Sequence, residues 1–175
     1  MITRGNEMNV LLIEPGRGIG EIELGMTKEE VNDCIERYAA KYQKPYHMDN
    51  FIKDSFMVKY DLEGKVNFIE IPSELKDTFQ CLFINIDVFN TKADELVRRI
   101  DEISPYDRNN PEMDSCFTFP EIGLGLWRPD VLTEEDLEKE WFKELKPSIQ
   151  EDTMKNLYFK TVFIYHTNID LYNKD

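Results

Sequence analysis

Histidine, paired cysteine, basic side chains and long apolar runs are all scarce in this chain, and each shortage removes a class of chemistry. His47 and His166 are the only histidines among 175 residues, and neither sits in an HxxxH or HExxH setting, so no histidine-built metal centre is expected. The cysteines Cys34, Cys81 and Cys116 are odd in number and form no CxxC pair. That usage fits a reducing compartment, with each thiol a small buried hydrophobe among apolar neighbours. Lys and Arg number 21 against 35 Asp and Glu, a net charge of −14. A surface so negative argues against nucleic acid and against an anionic membrane, both of which are gripped through Lys and Arg. The apolar run at residues 10–13 stops at Glu14, too short for a signal-peptide core, and nothing later approaches a membrane span. A cytoplasmic location is expected.

Catalytic motifs are missing as well. The GRGIG stretch (Gly16, Gly18, Gly20) matches neither the P-loop nor the dinucleotide spacing, and a strand rather than a helix follows it. It reads as a turn. No serine lies in a GxSxG context, and Cys34 has no base within its own element. No catalytic residue, metal or cofactor is therefore assigned.

What is present is a foldable pattern, with 41% apolar and 12% aromatic residues, enough for one good-sized core. Its clearest unit is GEIELGMTKEEVNDCIERY, residues 20–38. Ile22 and Leu24 alternate as a short strand, Gly25 turns the chain and Thr27 opens a helix. The Thr27 hydroxyl can accept from a first-turn N–H while Glu30 reaches back to the Thr27 N–H, a capping box. Val31, Cys34, Ile35, Tyr38 and Tyr42 then fall at helical spacing, which predicts an amphipathic helix over 28–42. Upstream, residues 9–13 read as a short buried strand. Downstream, Phe56, Val58 and Tyr60 alternate, 61–64 is a turn, and Val66 to Ile71 returns as a hairpin ended by Pro72.

Residues 80–88 read as one strand, with Leu82, Ile84, Ile86 and Val88 on one face and Cys81 and Phe83 on the other. Thr91 with Asp94 makes a second cap, followed by the helical stripe Leu96, Val97, Ile100 and Ile103. A polar loop at 105–111 leads to strands at Cys116, Phe117 and Phe119 and at Leu124, Leu126 and Trp127. A third cap, Thr133 with Asp136, predicts a helix to about Lys146 with Leu137, Trp141 and Leu145 in line. Residues 158–166 read as a last strand before a polar tail expected to fray. Aligning TKEEVNDCIERY with TKADELVRRIDEI suggests two α-β-β repeats, at 20–75 and 85–130. The expected fold is one α+β domain over 1–175, with helices packed on an antiparallel sheet.

Charge is densest in TEEDLEKEWFKELK, where Glu134, Glu135 and Asp136 suit the first turn of a helix. Glu138, Glu140 and Glu144 then surround Trp141 and Phe142, two aromatics on adjoining faces of which one can point squarely into a core. An exposed aromatic in an acidic surround is the composition of a binding hot spot for a basic partner. Trp127, Arg128 and Pro129, just upstream, are candidates for the same surface.

LGMTKEEV (24–31) resembles the strand-turn-helix start, LGM-[ST]-x-x-[DE]-[VA], of the two-repeat fold shared by β-lactamase-inhibitor protein and the BamE/SmpA-like domains, with a weaker second copy at Thr91. The chain departs from BamE in lacking a lipid-acceptor cysteine, so no outer-membrane role is expected. Its general layout also resembles small acidic bacterial immunity proteins of polymorphic and contact-dependent toxin systems. That resemblance implies a non-enzymatic inhibitor that occludes a basic toxin domain, often a nuclease. The expected partner-binding residues are Glu138, Glu140, Trp141, Phe142 and Glu144. The alternatives are a carboxylate-rich metal-dependent hydrolase, a housekeeping protein whose charge serves solubility, and a homodimer that buries the exposed aromatics.

Overall fold

Short turns divide the chain into hairpins, and two helices lay those hairpins into two sheets. A computed structural model describes residues 8–172; residues 1–7, part of the N-terminal stretch considered above, and the last three residues of the tail lie outside it. Strands β1 (Asn9–Glu14), β2 (Gly18–Ile19) and β3 (Ile22–Glu23) precede helix α1 (Lys28–Tyr42) and the single turn α2 (Phe51–Ser55). The hairpin β4 (Met57–Tyr60) and β5 (Val66–Pro72) follows. The order then recurs: hairpin β6 (Phe79–Phe83) and β7 (Ile86–Asp87), helix α3 (Ala93–Asp101), hairpin β8 (Cys116–Phe119) and β9 (Leu124–Trp127). Short helices α4 (Glu140–Lys143) and α5 (Pro147–Met154) lead to the last strand, β10 (Thr161–Tyr165).

The fold is α+β. One sheet runs β3-β2-β1-β6-β7 and the other β4-β5-β10-β9-β8. All pairings are antiparallel except β1 with β6. A shared core fills the space between them, with Leu11, Ile13, Cys81 and Phe83 from the first sheet, Ile69, Ile71, Leu124, Leu126, Val162 and Ile164 from the second, and Val31, Cys34, Leu96 and Ile100 from the helices. The capping box at α1 forms as expected, with Glu30 N–H donating to the Thr27 hydroxyl at 3.2 Å and Thr27 N–H to the Glu30 carboxylate at 2.8 Å. Gly20, at φ 59°, lets the Tyr38 hydroxyl approach the backbone, where it accepts from Glu21 N–H at 2.9 Å.

Strand β10 is covered on both faces. Its outer side carries Phe163 and Tyr165, which with Phe68 and Cys116 form a second cluster packed by Ile169 and Leu171. The described part of the tail, residues 166–172, is therefore docked here, because Ile169 and Leu171 have an aromatic face to cover. Phe163 stacks on Phe68 with centroids 5.3 Å apart and lies over Gly125.

Several expectations are corrected. Residues 9–13 are only half buried: Leu11 and Ile13 face the core while Val10 and Leu12 are exposed, because a strand sends alternate side chains to opposite faces. Residues 80–88 form a hairpin, not one strand, since Ile84 and Asn85 both take left-handed backbone and reverse the chain. The N-cap of α3 is Lys92; Thr91 instead donates its hydroxyl to the Asp87 carbonyl at 2.7 Å. Ile103 lies past the helix and is exposed. The last strand is shorter than 158–166. The helix expected over 133–146 is broken into a 3-10 turn (Glu134–Glu138), an extended Lys139 and α4. Like charges four apart (Glu134 and Glu138, Asp136 and Glu140, Glu140 and Glu144) oppose one continuous helix there.

Replacing Gly125 by Ala puts a methyl inside the Phe163 ring. Urea unfolding should show Gly125→Ala destabilised by about 1–3 kcal/mol, and adding Phe163→Leu should recover part of that loss.

Candidate functional site

The acidic segment is the connection between β9 and β10, and its two ends are held by one side chain. Arg128, directly after β9, is 3% exposed. Its Nη1 donates to the carbonyls of Leu132 at 3.3 Å and Asn156 at 2.9 Å, and its Nε to the Asp114 carbonyl at 3.2 Å. The guanidinium lies 5.4 Å from the Phe159 ring centre. Burial pulls its pKa down, against the raising effect of Asp94 and Asp114. Arg128 is thus no part of an exposed surface, contrary to expectation; it clamps the entry and exit of the excursion from 128 to 157. Trp127, in register with Cys116 and Thr161, is on the outer face of the second sheet.

Within the excursion, Thr133 donates its N–H and its hydroxyl to the Asp136 carboxylate at 2.9 and 3.0 Å, and Lys139 pairs with the same group at 2.6 Å. Lys139 first, then Thr133, holds the Asp136 carboxyl well below the usual 3.8, at about 2. An ion pair between Lys92 and Glu134 ties the 3-10 turn to the start of α3. Downstream, the Gln150 amide donates to the Phe142 carbonyl at 3.0 Å, fixing α4 against α5.

The break at Lys139 decides which aromatic faces out. Phe142 is 7% exposed and anchors α4 inward, so it is unavailable to a partner; Trp141 stands 48% exposed, edge-on to Phe142 with ring centres 5.8 Å apart. Glu138, Glu140 and Glu144 are all exposed on this segment. Glu138 pairs with Lys143 at 3.3 Å, while Glu140 and Glu144 form no ion pair among the described residues. The side chain of Trp141 is thus presented on a short helix flanked by carboxylates, two of them uncompensated.

Elsewhere the titratable groups serve structure. Burial pushes the Cys81 thiol up to about 12 and Cys116 to about 11, and raises Cys34, so all three are protonated at neutral pH. His47 Nδ1 accepts from Lys44 N–H at 3.0 Å and its ring packs on Phe51; His166 ends β10 and is exposed. Gly16 lies in the β1–β2 turn, Gly18 is in β2 opposite Glu14, and Gly20 is in the turn from β2 to β3. Among the described residues no three His, Cys, Asp or Glu side chains gather in a metal-holding group, and no helix is long and apolar enough to cross a membrane. Sequence reading missed the clamp, because an arginine between tryptophan and proline carries no sign of burial. It also missed the exposure of Leu12 and Ile84, since an apolar run does not reveal which side chains lack cover.

Two outcomes follow. Arg128→Met leaves three carbonyls without their donor and should destabilise the protein by about 3 kcal/mol in chemical denaturation. The Asp136 cap, whose carboxyl is depressed when folded, is fully present above pH 3.8 and is lost as pH falls through about 2. Protection of the Thr133 amide, taken relative to its intrinsic exchange rate at each pH, should therefore fall over that window, and Asp136→Asn should remove that change. The chain matches no family model, no curated protein and no solved structure.

Proposed function

We propose that this chain is a non-catalytic binding protein that occludes a cationic protein domain, in the manner of an immunity protein meeting its toxin in the cytoplasm. The observation that carries the reading is Trp141, half exposed on a clamped platform and bordered by Glu138, Glu140 and Glu144. An indole buries a large rigid area at small entropic cost, and a carboxylate rim steers a basic partner toward it. The net charge of −14 extends that steering to the whole molecule. Occlusion needs a fixed shape, and the Arg128 clamp with the Gln150 and Lys92 contacts supplies it. A toxin-bearing reading frame beside this one would be consistent with the proposal.

The test is retention of a basic protein on the immobilised chain at low and high salt. Retention at low salt and release at high salt are expected. Glu138→Lys with Glu140→Lys and Glu144→Lys should slow association and flatten its salt dependence while the fold is kept. Trp141→Ala should speed dissociation by about thirtyfold or more. Binding unchanged in both variants would place the contact elsewhere.

A further inference from the structure

The aromatic face on the outer side of the second sheet is built without any help from the segment that covers it. Phe68 and Phe163 stack on each other, Tyr165 lies 6.1 Å beyond Phe163, and the Lys59 ammonium sits 4.6 Å over the Phe68 ring. These groups belong to β4, β5 and β10, whose pairings are complete at Tyr165. The cover is residues 167–172, and it is fastened lightly. Just before it, the His166 N–H donates to the Asn67 carbonyl at 2.9 Å. Past that bond, among the described residues, no backbone group of 167–172 bonds to either sheet. The turns of this segment close on themselves: Ile169 N–H donates to the His166 carbonyl at 3.0 Å, and Tyr172 N–H to the Asp170 carboxylate at 3.0 Å. What reaches the face is Ile169 and Leu171, both partly buried, and Tyr172, 49% exposed, beside Thr118. A cavity of about 590 Å³ remains between them, lined by Ile169, Leu171 and Tyr172 on one side and by Phe68, Thr118 and Phe163 on the other. A close-packed core leaves no such space.

We propose that residues 167–172 are a releasable strap, hinged just past His166, that hides the outer face of the second sheet when closed and bares Phe68, Cys116, Phe163 and Tyr165 when open. A segment with few apolar contacts and no ladder bonds opens far more readily than the domain unfolds. Closing it orders the backbone of the segment, and that lost freedom opposes the gain from two partly buried aliphatic side chains. The open and closed states are therefore close in free energy, while the sheet beneath is the same in both. The occupant of this face is the chain's own segment, so anything else that binds there competes with the strap.

Cys116 lies under the strap and reports its opening, with Cys81, 1% exposed in the main core, as the control. The test is labelling of the folded full chain with a maleimide carrying a polyethylene glycol, too bulky for the cavity. Each cysteine is read by peptide mass spectrometry, and its rate is divided by that of the same thiol in the urea-unfolded chain. Cys116 should be modified about tenfold faster than Cys81 or more, at a rate that low urea barely changes, because local opening exposes little surface. Ile169→Ser with Leu171→Ser should raise the Cys116 rate about tenfold while leaving the Cys81 rate and the main urea transition in place. Cys116 modified no faster than Cys81, or at a rate indifferent to the paired substitution, would overturn the proposal. So would a paired variant in which the Cys81 rate rises equally, since the segment would then belong to the cooperative fold. None of these outcomes bears on binding at Trp141.

Discussion

The Trp141 platform depends on a buried guanidinium that forms no ion pair with a carboxylate among the described residues. Arg128 is satisfied by three backbone carbonyls, drawn from the loop before β8, the start of the acidic excursion and its end. An unpaired buried charge is expensive, and the lowered pKa of Arg128 reflects that. A planar group with several fixed donors is nonetheless the one side chain able to reach both ends of a connection at once. The same connection leads into β10, which fills the gap between β5 and β9. The second sheet is complete only when this last strand is in place, and its insertion brings Asn156 to the clamp.

The two exposed surfaces differ in kind. At Trp141 an aromatic stands among carboxylates, so attraction is long-range and weakened by salt. On the outer face of β1 and β6, Val10, Leu12 and Leu82 stand with Gln80, and of the carboxylates lining the adjoining groove Glu14 is paired with Arg17 while Glu121 forms no ion pair among the described residues.

How much of this was legible in the sequence depended on whether a local rule or a tertiary contact decided the outcome. The capping box at Thr27, the stripe from Val31 to Tyr42 and the hairpin ending at Pro72 follow local chemistry, and all were readable. Residues 80–88 were misread because alternation alone cannot show a reversal at Ile84, a residue no turn rule would place there. The third helix was misread because its caps and apolar spacing looked continuous, while repulsion between acids four apart and the inward turn of Phe142 break it at Lys139. Of the expected partner-binding residues, Glu138, Glu140, Trp141 and Glu144 are exposed on one segment and Phe142 is buried; the sequence could not say which of Trp141 and Phe142 faced out. The role of Arg128 is set by carbonyls 4, 14 and 28 residues away in the chain, the last two beyond any local signal.

Trp141 is proposed as the anchor of a surface read by a cationic protein. Its most direct measurement is the emission of Trp141 in a Trp127→Phe background, followed as the basic protein retained by the chain is titrated in. A blue shift that saturates with binding and disappears on raising the salt is expected, as the indole leaves water and returns to it. Saturable binding with the emission of Trp141 unchanged would contradict it.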